Sequence, residues 1–351
     1  MAPLIGLDVG TTAVRAAEIA RAKDGVRLVR FSQVGLPAAA APDGEVADVG
    51  LVTASIKEAI DRGGFRSRRV AVGVANQKVV VRQVELPWMA EEELRTSIQF
   101  QVQEYIPIPV EDAILDFQVL EELVGEGGER RMQVLLVAAQ RGMVDSLVQA
   151  VQKAGLDPAL VDVAPFAALR AVTLETPPIL AGPESEALID VGGGVTNIIL
   201  HEQGSPKFVR ILPMGGADIT EALVAGLGIP VEDAESVKAR VGVAAEAGAT
   251  VAEGAATIIE NRTSSFIDEV RGSIDYYLGQ PNAAQITRVA LTGGGARLPN
   301  LRARLEAALH LPVVEADPLT RVKPGKGFDP ELLAQISAVG AVAIGLGTGG
   351  S

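Results

Sequence analysis

The sequence predicts an α/β protein of two similar lobes, with a smaller α/β subdomain inserted into the first lobe. Two observations lead to this prediction. A strand–turn–strand segment occurs twice, about half a chain apart, and 351 residues are too many for one typical core. Hydrophobic residues make up 48% of the chain and charged residues 21%, which is a globular balance.

The repeated segment consists of an apolar strand, an Asp-Val-Gly turn and a second strand. Its copies span residues 4–15 and 187–198, and strand-like sequence follows them at 26–34 and 207–212. Glycine is needed in such turns because the backbone adopts positive φ or approaches a ligand closely. The duplication therefore predicts two lobes that face each other.

Periodicity and turn residues predict the remaining elements. The predicted helices are 49–63, 91–105, 143–154, 256–278, one containing Leu301, Leu305 and Leu309, and a buried one at 336–347 that is too short to span a bilayer. The predicted strands are 70–74, 79–84, 114–121, 132–138, 159–163 and the segment before the glycines at 293–295, with a polar hairpin turn at 125–129.

These elements suggest a division into seven segments. They are the first-lobe core (1–85), the inserted subdomain (86–163), the first-lobe core continued (164–185), the second-lobe core (186–235), a second-lobe helical subdomain (236–287), the second-lobe core continued (288–330), and a C-terminal helix that returns to the first lobe and ends in a flexible tail (331–351). The start of the chain lacks a basic region, so we expect no signal peptide.

Charge and composition exclude several function classes. The formal net charge of -13 opposes binding to nucleic acid, so we expect no nucleic-acid partner. The chain has no cysteine, which excludes disulfides, thiol nucleophiles and cysteine-ligated zinc. His201 and His310 are isolated and offer no metal-ligand cluster.

The first turn is a candidate phosphate loop. Gly10, Thr11 and Thr12 offer backbone N–H groups and hydroxyls to phosphate oxygens, and Asp8 is a candidate Mg²⁺ ligand that acts through water. The alternative is an ordinary tight hairpin with a solvated aspartate, because short glycine motifs are weak evidence alone.

The second turn is the stronger candidate. Three successive glycines, Gly192, Gly193 and Gly194, cost backbone entropy and are typical of a backbone that approaches a ligand closely. Asp190 before them is a second candidate for the metal or for positioning water, and Thr196 is a further candidate ligand-binding residue. The alternative is a flexible loop.

Two later glycine turns are candidates for the nucleoside and ribose side of a ligand. The candidate residues there and on the helix that follows are Gly215, Gly216, Glu235, Lys238, Gly293, Gly294, Gly295 and Arg297. Glu235 and Lys238 are three apart on a predicted helix, so both can face one ligand. Taken singly, such residues are more often a solvated ion pair.

The order of these motifs resembles the actin, Hsp70 and sugar-kinase superfamily over essentially the whole chain. The resemblance implies the actin-like ATPase fold, a duplicated ribonuclease H-like α/β fold. It also implies that ATP and Mg²⁺ bind in the cleft between the lobes. Asp8 and Asp190 would then be the residues nearest the chemistry.

Three segments resemble the PilM family of type IV pilus assembly, which is related to the FtsA family of cell division. They are the Tyr-Ile-Pro-Ile-Pro run at 105–109 followed by Leu-Asp-Phe at 115–117, the segment 156–167, and 84–89. The resemblance implies that 86–163 is an FtsA-like inserted subdomain.

The PilM resemblance also implies partners. A groove in the first lobe, bordered by 79–86 and 91–105, is expected to bind the N-terminal cytoplasmic tail of a PilN-like inner-membrane protein. Other platform proteins, motor ATPases and further copies of the chain are additional expected partners. We therefore expect a cytoplasmic chain without direct membrane insertion, recruited to the inner face of the membrane by its partner.

Departures from related families leave alternatives open. Gln99, Gln101 and Gln103 stand where the family often has acidic residues, so ATP turnover is expected to be weak at most. A small-molecule kinase would need an aspartate base beside a sugar-binding segment, and the sequence offers no convincing one. Phosphatases of the superfamily usually carry Glu at the position of Asn197. A filament-forming FtsA-like protein normally ends in an amphipathic helix, which 345–351 does not resemble.

Overall fold

The computed structural model describes residues 4–22, 25–124, 128–173, 185–243, 250–280 and 283–349. The strands are β1 (Leu4–Val9), β2 (Ala13–Ala22), β3 (Gly25–Gly35), β4 (Arg69–Val74), β5 (Val79–Pro87), β6 (Ala113–Val124), β7 (Arg130–Gln140), β8 (Asp157–Val163), β9 (Ser185–Val191), β10 (Thr196–Glu202), β11 (Ser205–Leu212), β12 (Ile286–Thr292), β13 (Val313–Glu315) and β14 (Lys323–Pro324). The helices are α1 (Val49–Gly63), α2 (Glu91–Gln101), α3 (Arg141–Lys153), α4 (Ala164–Thr173), α5 (Gly216–Leu227), α6 (Val231–Val241), α7 (Thr250–Leu278), α8 (Leu301–Leu309), α9 (Pro330–Val339) and α10 (Ala341–Thr348).

The two lobes are built on sheets of the same design. The first-lobe sheet has the order β14-β3-β2-β1-β4-β8, and the second-lobe sheet has the order β11-β10-β9-β12-β13. In each sheet, the first strand of the repeated segment pairs antiparallel with its hairpin partner and parallel with a later strand. This shared order confirms the predicted duplication.

A third sheet lies within the first half of the chain, in the order β5-β7-β6. With α2 it buries a separate small core that includes Leu86, Leu94 and Met132. Its extent differs from the predicted segment 86–163. The sheet begins at β5, whereas β8 pairs parallel with β4 in the first-lobe sheet and α3 packs against α1. Sheet membership depends on pairing between distant strands, which local periodicity does not report.

Local sequence explains α1. The side chain of Asp48 accepts a hydrogen bond from the Leu51 backbone N–H (3.0 Å), and Gly64 adopts the left-handed conformation that ends the helix. Between these ends Val52 and Ile56 are fully buried on the face that packs against β2 and β3. The helix therefore covers one face of the first-lobe sheet.

The C-terminal segment returns to the first lobe, as expected. The helix predicted at 336–347 is instead two helices, α9 and α10, bent by 80° across Gly340. Residues 345–348, predicted as part of a flexible tail, belong to α10, which packs against α4 and β1. A Cβ atom at Gly345 would lie 1.7 Å from the Ala167 carbonyl oxygen, so this crossing requires glycine.

Two other predicted boundaries differ. α2 ends at Gln101, four residues before the predicted end, because Pro107 and Pro109 follow and the chain turns before them. The polar turn predicted at 125–129 lies partly outside the described residues. Across the part of the chain that the structure describes, no single helix is long and apolar enough to cross a membrane; the bent pair α9 and α10 passes that test only when taken together.

Candidate functional site

A cavity of about 360 Å³ lies between the lobes where the glycine turns meet. That volume falls in the range of pockets that bind small molecules. Its walls come from both sheets and from the junction of α9 and α10. Among the residues that line it are Asp8, Gly10, Thr11, Thr12, Arg15, Gly44, Gly73, Asp190, Gly192, Gly193, Asn197, Gly216, Glu235, Lys238, Gly293, Gly294, Gly295 and Val342.

The first-lobe hairpin presents an ion pair to the cavity. Asp8 lies opposite Arg15 in the β1–β2 pairing, and the Arg15 Nη1 atom donates to Asp8 Oδ2 over 3.2 Å. Arg15 Nε also donates to the Gln33 side chain (3.2 Å). The guanidinium is thus fixed at the cavity wall by two partners on two strands.

The second-lobe hairpin presents an acid and an amide at the matching positions. Asp190 lies opposite Asn197 in the β9–β10 pairing, and Asn197 Nδ2 donates to Asp190 Oδ2 over 3.1 Å. Both side chains are buried, with 8% and 4% of their surfaces exposed. A cation therefore supports the first acid and a neutral group supports the second.

Burial changes the ionisation of both acids. Burial raises the pKa of Asp8, while the charge and hydrogen bond of Arg15 oppose that rise. Burial also raises the pKa of Asp190 to about 6; the Asn197 hydrogen bond opposes this, and the nearby Asp8 charge adds to it. The cavity floor therefore favours a positive charge close to Asp190.

The turns of the two lobes touch each other. The Gly194 backbone N–H donates to Thr11 Oγ1 over 2.8 Å. A Cβ atom at Gly193 would lie 2.5 Å from the Thr12 methyl carbon, so a larger residue there would push the lobes apart. The two turns therefore form a direct contact between the lobes.

The later glycine turns support the second-lobe loop. The Gly216 N–H donates to the Gly192 carbonyl (3.0 Å), and the Ala217 N–H donates to the Gly193 carbonyl (2.8 Å). Gly293 adopts φ = 96°, and a Cβ atom there would lie 2.6 Å from Asp190 Oδ1. Small residues are therefore required where three turns converge on Asp190.

Lys238 ties α6 to the start of α5. Its Nζ atom donates to the Gly216 carbonyl (3.0 Å), to Thr220 Oγ1 (2.6 Å) and to Glu235 Oε1 (2.8 Å). Glu235 also accepts a hydrogen bond from Thr220. The two charged residues line one side of the cavity as a joined pair.

Four of the predicted site residues are not among those that line the cavity. Gly194 lies beside it in the contact with Thr11, and Gly215 lies behind it, against the carbonyl oxygens of the second loop. Thr196 is fully buried and donates to the Met214 carbonyl (2.8 Å). Arg297 ends the short 3₁₀ turn after the glycines, and its side chain is exposed.

Arg15 and Asn197 line the cavity but were not predicted as site residues. Both are strand residues in apolar surroundings, so no local motif marks them. A signal was nevertheless present, because each follows its aspartate by seven residues in the two copies of the repeat. In a tight hairpin, that spacing places the two side chains opposite each other.

A second concave surface lies between the inserted sheet and the second lobe. We call it the β5–β11 groove; it has a volume of about 1180 Å³ and is lined by residues 79–85 of β5 and by 207–214, with Tyr105, Gln133, Glu269 and Tyr276 around them. β5 and β11 are edge strands of their sheets. Gln83 Nε2 crosses between the walls and donates to the Pro206 carbonyl (3.1 Å).

Comparison with known proteins identifies the family. The model for "Type IV pilus assembly protein PilM" matches residues 6–349. The chain belongs to the PilM family. A solved structure described as the "PilM-PilN type IV pilus biogenesis complex" is 26% identical, with a TM-score of 0.83 over 98% of this chain and 97% of that one.

More distant relatives agree with the fold. FtsA of Bacillus subtilis is 26% identical over 263 residues, covering 68% of this chain and 58% of that protein. FtsA of Pseudomonas aeruginosa is 24% identical over 352 residues, covering 88% and 82%. MreB5 of Spiroplasma citri, solved with ADP, has a TM-score of 0.53 at 16% identity over 90% and 92% of the two chains. The chain therefore has the actin-like ATPase fold, as the motif order predicted.

Proposed function

We propose that this PilM-family protein holds Mg·ATP between its lobes and binds the N-terminal cytoplasmic tail of a PilN-like membrane protein. The observation that carries the nucleotide half is the interlobe cavity, where glycine turns from both copies of the repeat converge. Such turns present backbone N–H groups to phosphates.

The donors at the cavity fit a triphosphate. Within the described residues, the backbone N–H groups of Thr11, Thr12 and Gly193 make no hydrogen bond to the protein. Arg15 adds a guanidinium that is already fixed at the wall, and guanidinium groups bind phosphate in two-point geometry. Glu235 and Lys238 flank the side on which the nucleoside would lie.

The same cavity fits a magnesium ion that arrives with the nucleotide. Among the described residues, no group of three or more His, Asp or Glu side chains could hold a metal alone. Asp190 and Asp8 are the available carboxylates, and Asn197 Oδ1 is a buried oxygen without a partner. One or two carboxylates combined with phosphate oxygens and water is how Mg²⁺ is usually bound, where it neutralises phosphate charge.

Slow turnover follows from how the carboxylates are engaged. Asp8 is paired with Arg15, Asp190 with Asn197, and Glu235 with Lys238. Each of the three is thus held by a cation or an amide, and none is set apart from these contacts as a dedicated base for an attacking water. We therefore propose that ATP serves as a structural and switching ligand more than as a fuel.

The β5–β11 groove supports the partner half of the proposal. Consecutive residues of both strands line it, which means that it exposes strand edges and not one side-chain face. An extended peptide can pair with such edges by main-chain hydrogen bonds. β5 and Tyr105 belong to the region that the sequence predicted for the tail, but α2 does not line this groove and its other wall is β11 of the second lobe. A protein with this fold has been solved as a PilM–PilN complex.

The test is a fluorescence anisotropy titration of a labelled peptide. The peptide carries the cytoplasmic N-terminus of the PilN-like protein encoded in the same genome, and it is titrated with and without Mg·ATP. Saturable binding in the micromolar range is expected, and Asp190→Asn serves as the nucleotide-site control. Recruitment to the inner face of the membrane would then come through the partner.

Separate outcomes test the two halves. Intact ATP binding with no peptide binding would discard the partner assignment and keep the nucleotide site. Peptide binding with no nucleotide binding, measured by calorimetry, would discard the nucleotide half. Variants that narrow the groove, such as Val81→Trp, should weaken the peptide and leave ATP affinity unchanged.

A further inference from the structure

The duplicated hairpins pair each aspartate with a chemically different residue. In the β1–β2 hairpin Asp8 lies opposite Arg15, and in the β9–β10 hairpin Asp190 lies opposite Asn197. The register is equivalent in the two lobes, but one partner carries a positive charge and the other is neutral. The two copies of the repeat are therefore not interchangeable at the cavity.

The orientation of the Asn197 amide is fixed by its neighbour. Its Nδ2 atom donates to Asp190 Oδ2 over 3.1 Å. Turning the amide over would place its oxygen against an ionised carboxylate, which only accepts hydrogen bonds. The amide oxygen is therefore the atom left over.

That amide oxygen lacks a partner. Asn197 Oδ1 is buried and makes no hydrogen bond with any other described residue, although Asn197 lines the cavity. Native proteins pair nearly all buried acceptors, so an unpaired one beside a cavity calls for a donor from a ligand. The donor must be small, because only 4% of the Asn197 surface is exposed.

The charges decide what kind of ligand brings this donor. The Asp8 carboxylate already has the Arg15 guanidinium at 3.2 Å, whereas Asp190 has no cation among its described hydrogen-bond partners. A cation entering the cavity gains more next to Asp190. A hydrated cation would also supply water O–H donors to an adjacent amide oxygen.

We propose that Asn197 is the positioning residue of the cation half of the site. Its amide nitrogen holds Asp190, and its amide oxygen accepts a hydrogen bond from a water of hydrated Mg²⁺, while Arg15 serves the phosphate half. The two copies of the repeat thus have different roles, one in binding phosphate and the other in binding the cation. This inference depends on the proposed Mg·ATP binding and goes beyond it by assigning the tasks to separate hairpins.

The test compares ATP affinity with excess Mg²⁺ and with EDTA by isothermal titration calorimetry. The ratio of the two dissociation constants is the metal-dependent gain. Asn197→Ala should reduce this gain by about 10-fold to 100-fold, the usual effect of removing an outer-shell partner, and leave metal-free affinity nearly unchanged. Arg15→Met is the matched variant at the equivalent position of the other hairpin, and it should weaken both affinities in similar proportion.

A second variant keeps the shape of the side chain. Asn197→Asp places a carboxylate beside Asp190, so the gain should increase while the melting temperature without metal decreases. Circular dichroism before each titration verifies that the variants are folded, and Mn²⁺ in place of Mg²⁺ allows bound ion to be measured by electron paramagnetic resonance.

The outcomes separate this inference from the function on which it depends. An unchanged gain in Asn197→Ala, or equal losses with and without metal, would overturn the role of Asn197 while ATP binding by the unaltered protein stands. Failure of the unaltered protein to bind ATP under either condition would overturn both proposals.

Discussion

The Asp190 carboxylate is buried, and burial makes its ionised form unfavourable. Burial raises its pKa to about 6, above the 3.8 of an unperturbed aspartate, so the folded protein binds a proton that the unfolded chain releases. The stability associated with this group is therefore fully present below about pH 4 and is lost as the pH rises through about 6. A cation bound beside Asp190 would favour the ionised carboxylate and offset the cost of burying its charge.

Replacing Asp190 with asparagine should have opposite effects on stability and on binding. Without ligands at pH 7.5, Asp190→Asn should be more stable than the unaltered protein by about 1–3 kcal/mol, because a buried charge is removed. Its advantage should vanish near pH 4, and Mg·ATP binding should be lost. Urea unfolding at both pH values measures the difference, and a variant less stable at pH 7.5 would contradict the argument.

Glu186 shows the opposite ionisation behaviour at the far end of the same strand. Burial opposes its charge, but the close contact with His201 (3.3 Å) and the hydrogen bond from Arg288 together outweigh burial and lower its pKa. The three residues lie side by side on β10, β9 and β12. Stability from this cluster is therefore present above the ordinary glutamate pKa and is lost as the pH falls.

The contribution of the Glu186 cluster to stability can be compared directly with that of an exposed ion pair. Glu186→Gln should reduce the free energy of unfolding at pH 7 by about 1–3 kcal/mol, less than for a fully buried pair because Arg288 is half exposed. Glu58→Gln, which breaks the exposed pair with Arg62, should change it by less than about 0.5 kcal/mol. Equal effects in urea titrations would show that the Glu186 cluster contributes no more than a surface pair.

At the scale of elements, helix α10 depends on close contact with α4. The Gly345 position leaves no room for a side chain, because a Cβ atom would lie 1.7 Å from the Ala167 carbonyl. Gly345→Ala should therefore destabilise the protein by about 1–3 kcal/mol or more. The control is Gly272→Ala in α7, where a Cβ meets open space and should stabilise by about 0.5–1 kcal/mol. Thermal unfolding that shifts both variants in the same direction would contradict this account.

The sequence predicted most elements because their signals are local. The two hairpins are marked by apolar runs that end in Asp-Val-Gly. The ends of α1 are marked by Asp48 before its first residue and Gly64 after its last. The assignment of β8 to the first-lobe sheet escaped prediction, since it depends on pairing with a strand more than 80 residues away. The break at Gly340 escaped for a similar reason, because α10 turns to fill a space between α4 and β1.

The candidate site was predictable where glycine turns mark it and at Glu235 and Lys238, whose helical spacing placed both on one face. The glycine turns and their aspartates converge on one cavity, as their order along the chain suggested. Arg15 and Asn197 carry no such mark, and their importance comes from cross-strand register in the folded hairpins. Thr196 looked like a ligand-binding residue in sequence, but its hydroxyl is used to hold the Met214 carbonyl.

At the scale of the whole molecule, β11 and the turn that follows it connect the β5–β11 groove to the cavity. β11 lines the groove, and the turn that follows it, Pro213 to Gly216, reaches the cavity, where the Gly216 N–H donates to the Gly192 carbonyl. The other wall of the groove, β5, belongs to the first half of the chain. We therefore expect closure of the lobes to change the separation of the groove walls as well as the shape of the cavity.

This connection predicts that ATP and the partner peptide affect each other's binding. Saturating Mg·ATP should change the peptide dissociation constant by about 5-fold to 150-fold, the usual range for coupled sites, and saturating peptide must change the ATP dissociation constant by the same factor. Anisotropy measures the first and calorimetry the second. Thr196→Val removes the hydrogen bond to Met214 on the connecting turn with little change of shape, so it should bring both factors closer to one. If the two factors differ, one of the measurements is in error. If both factors equal one in the unaltered protein, nucleotide binding does not affect the groove.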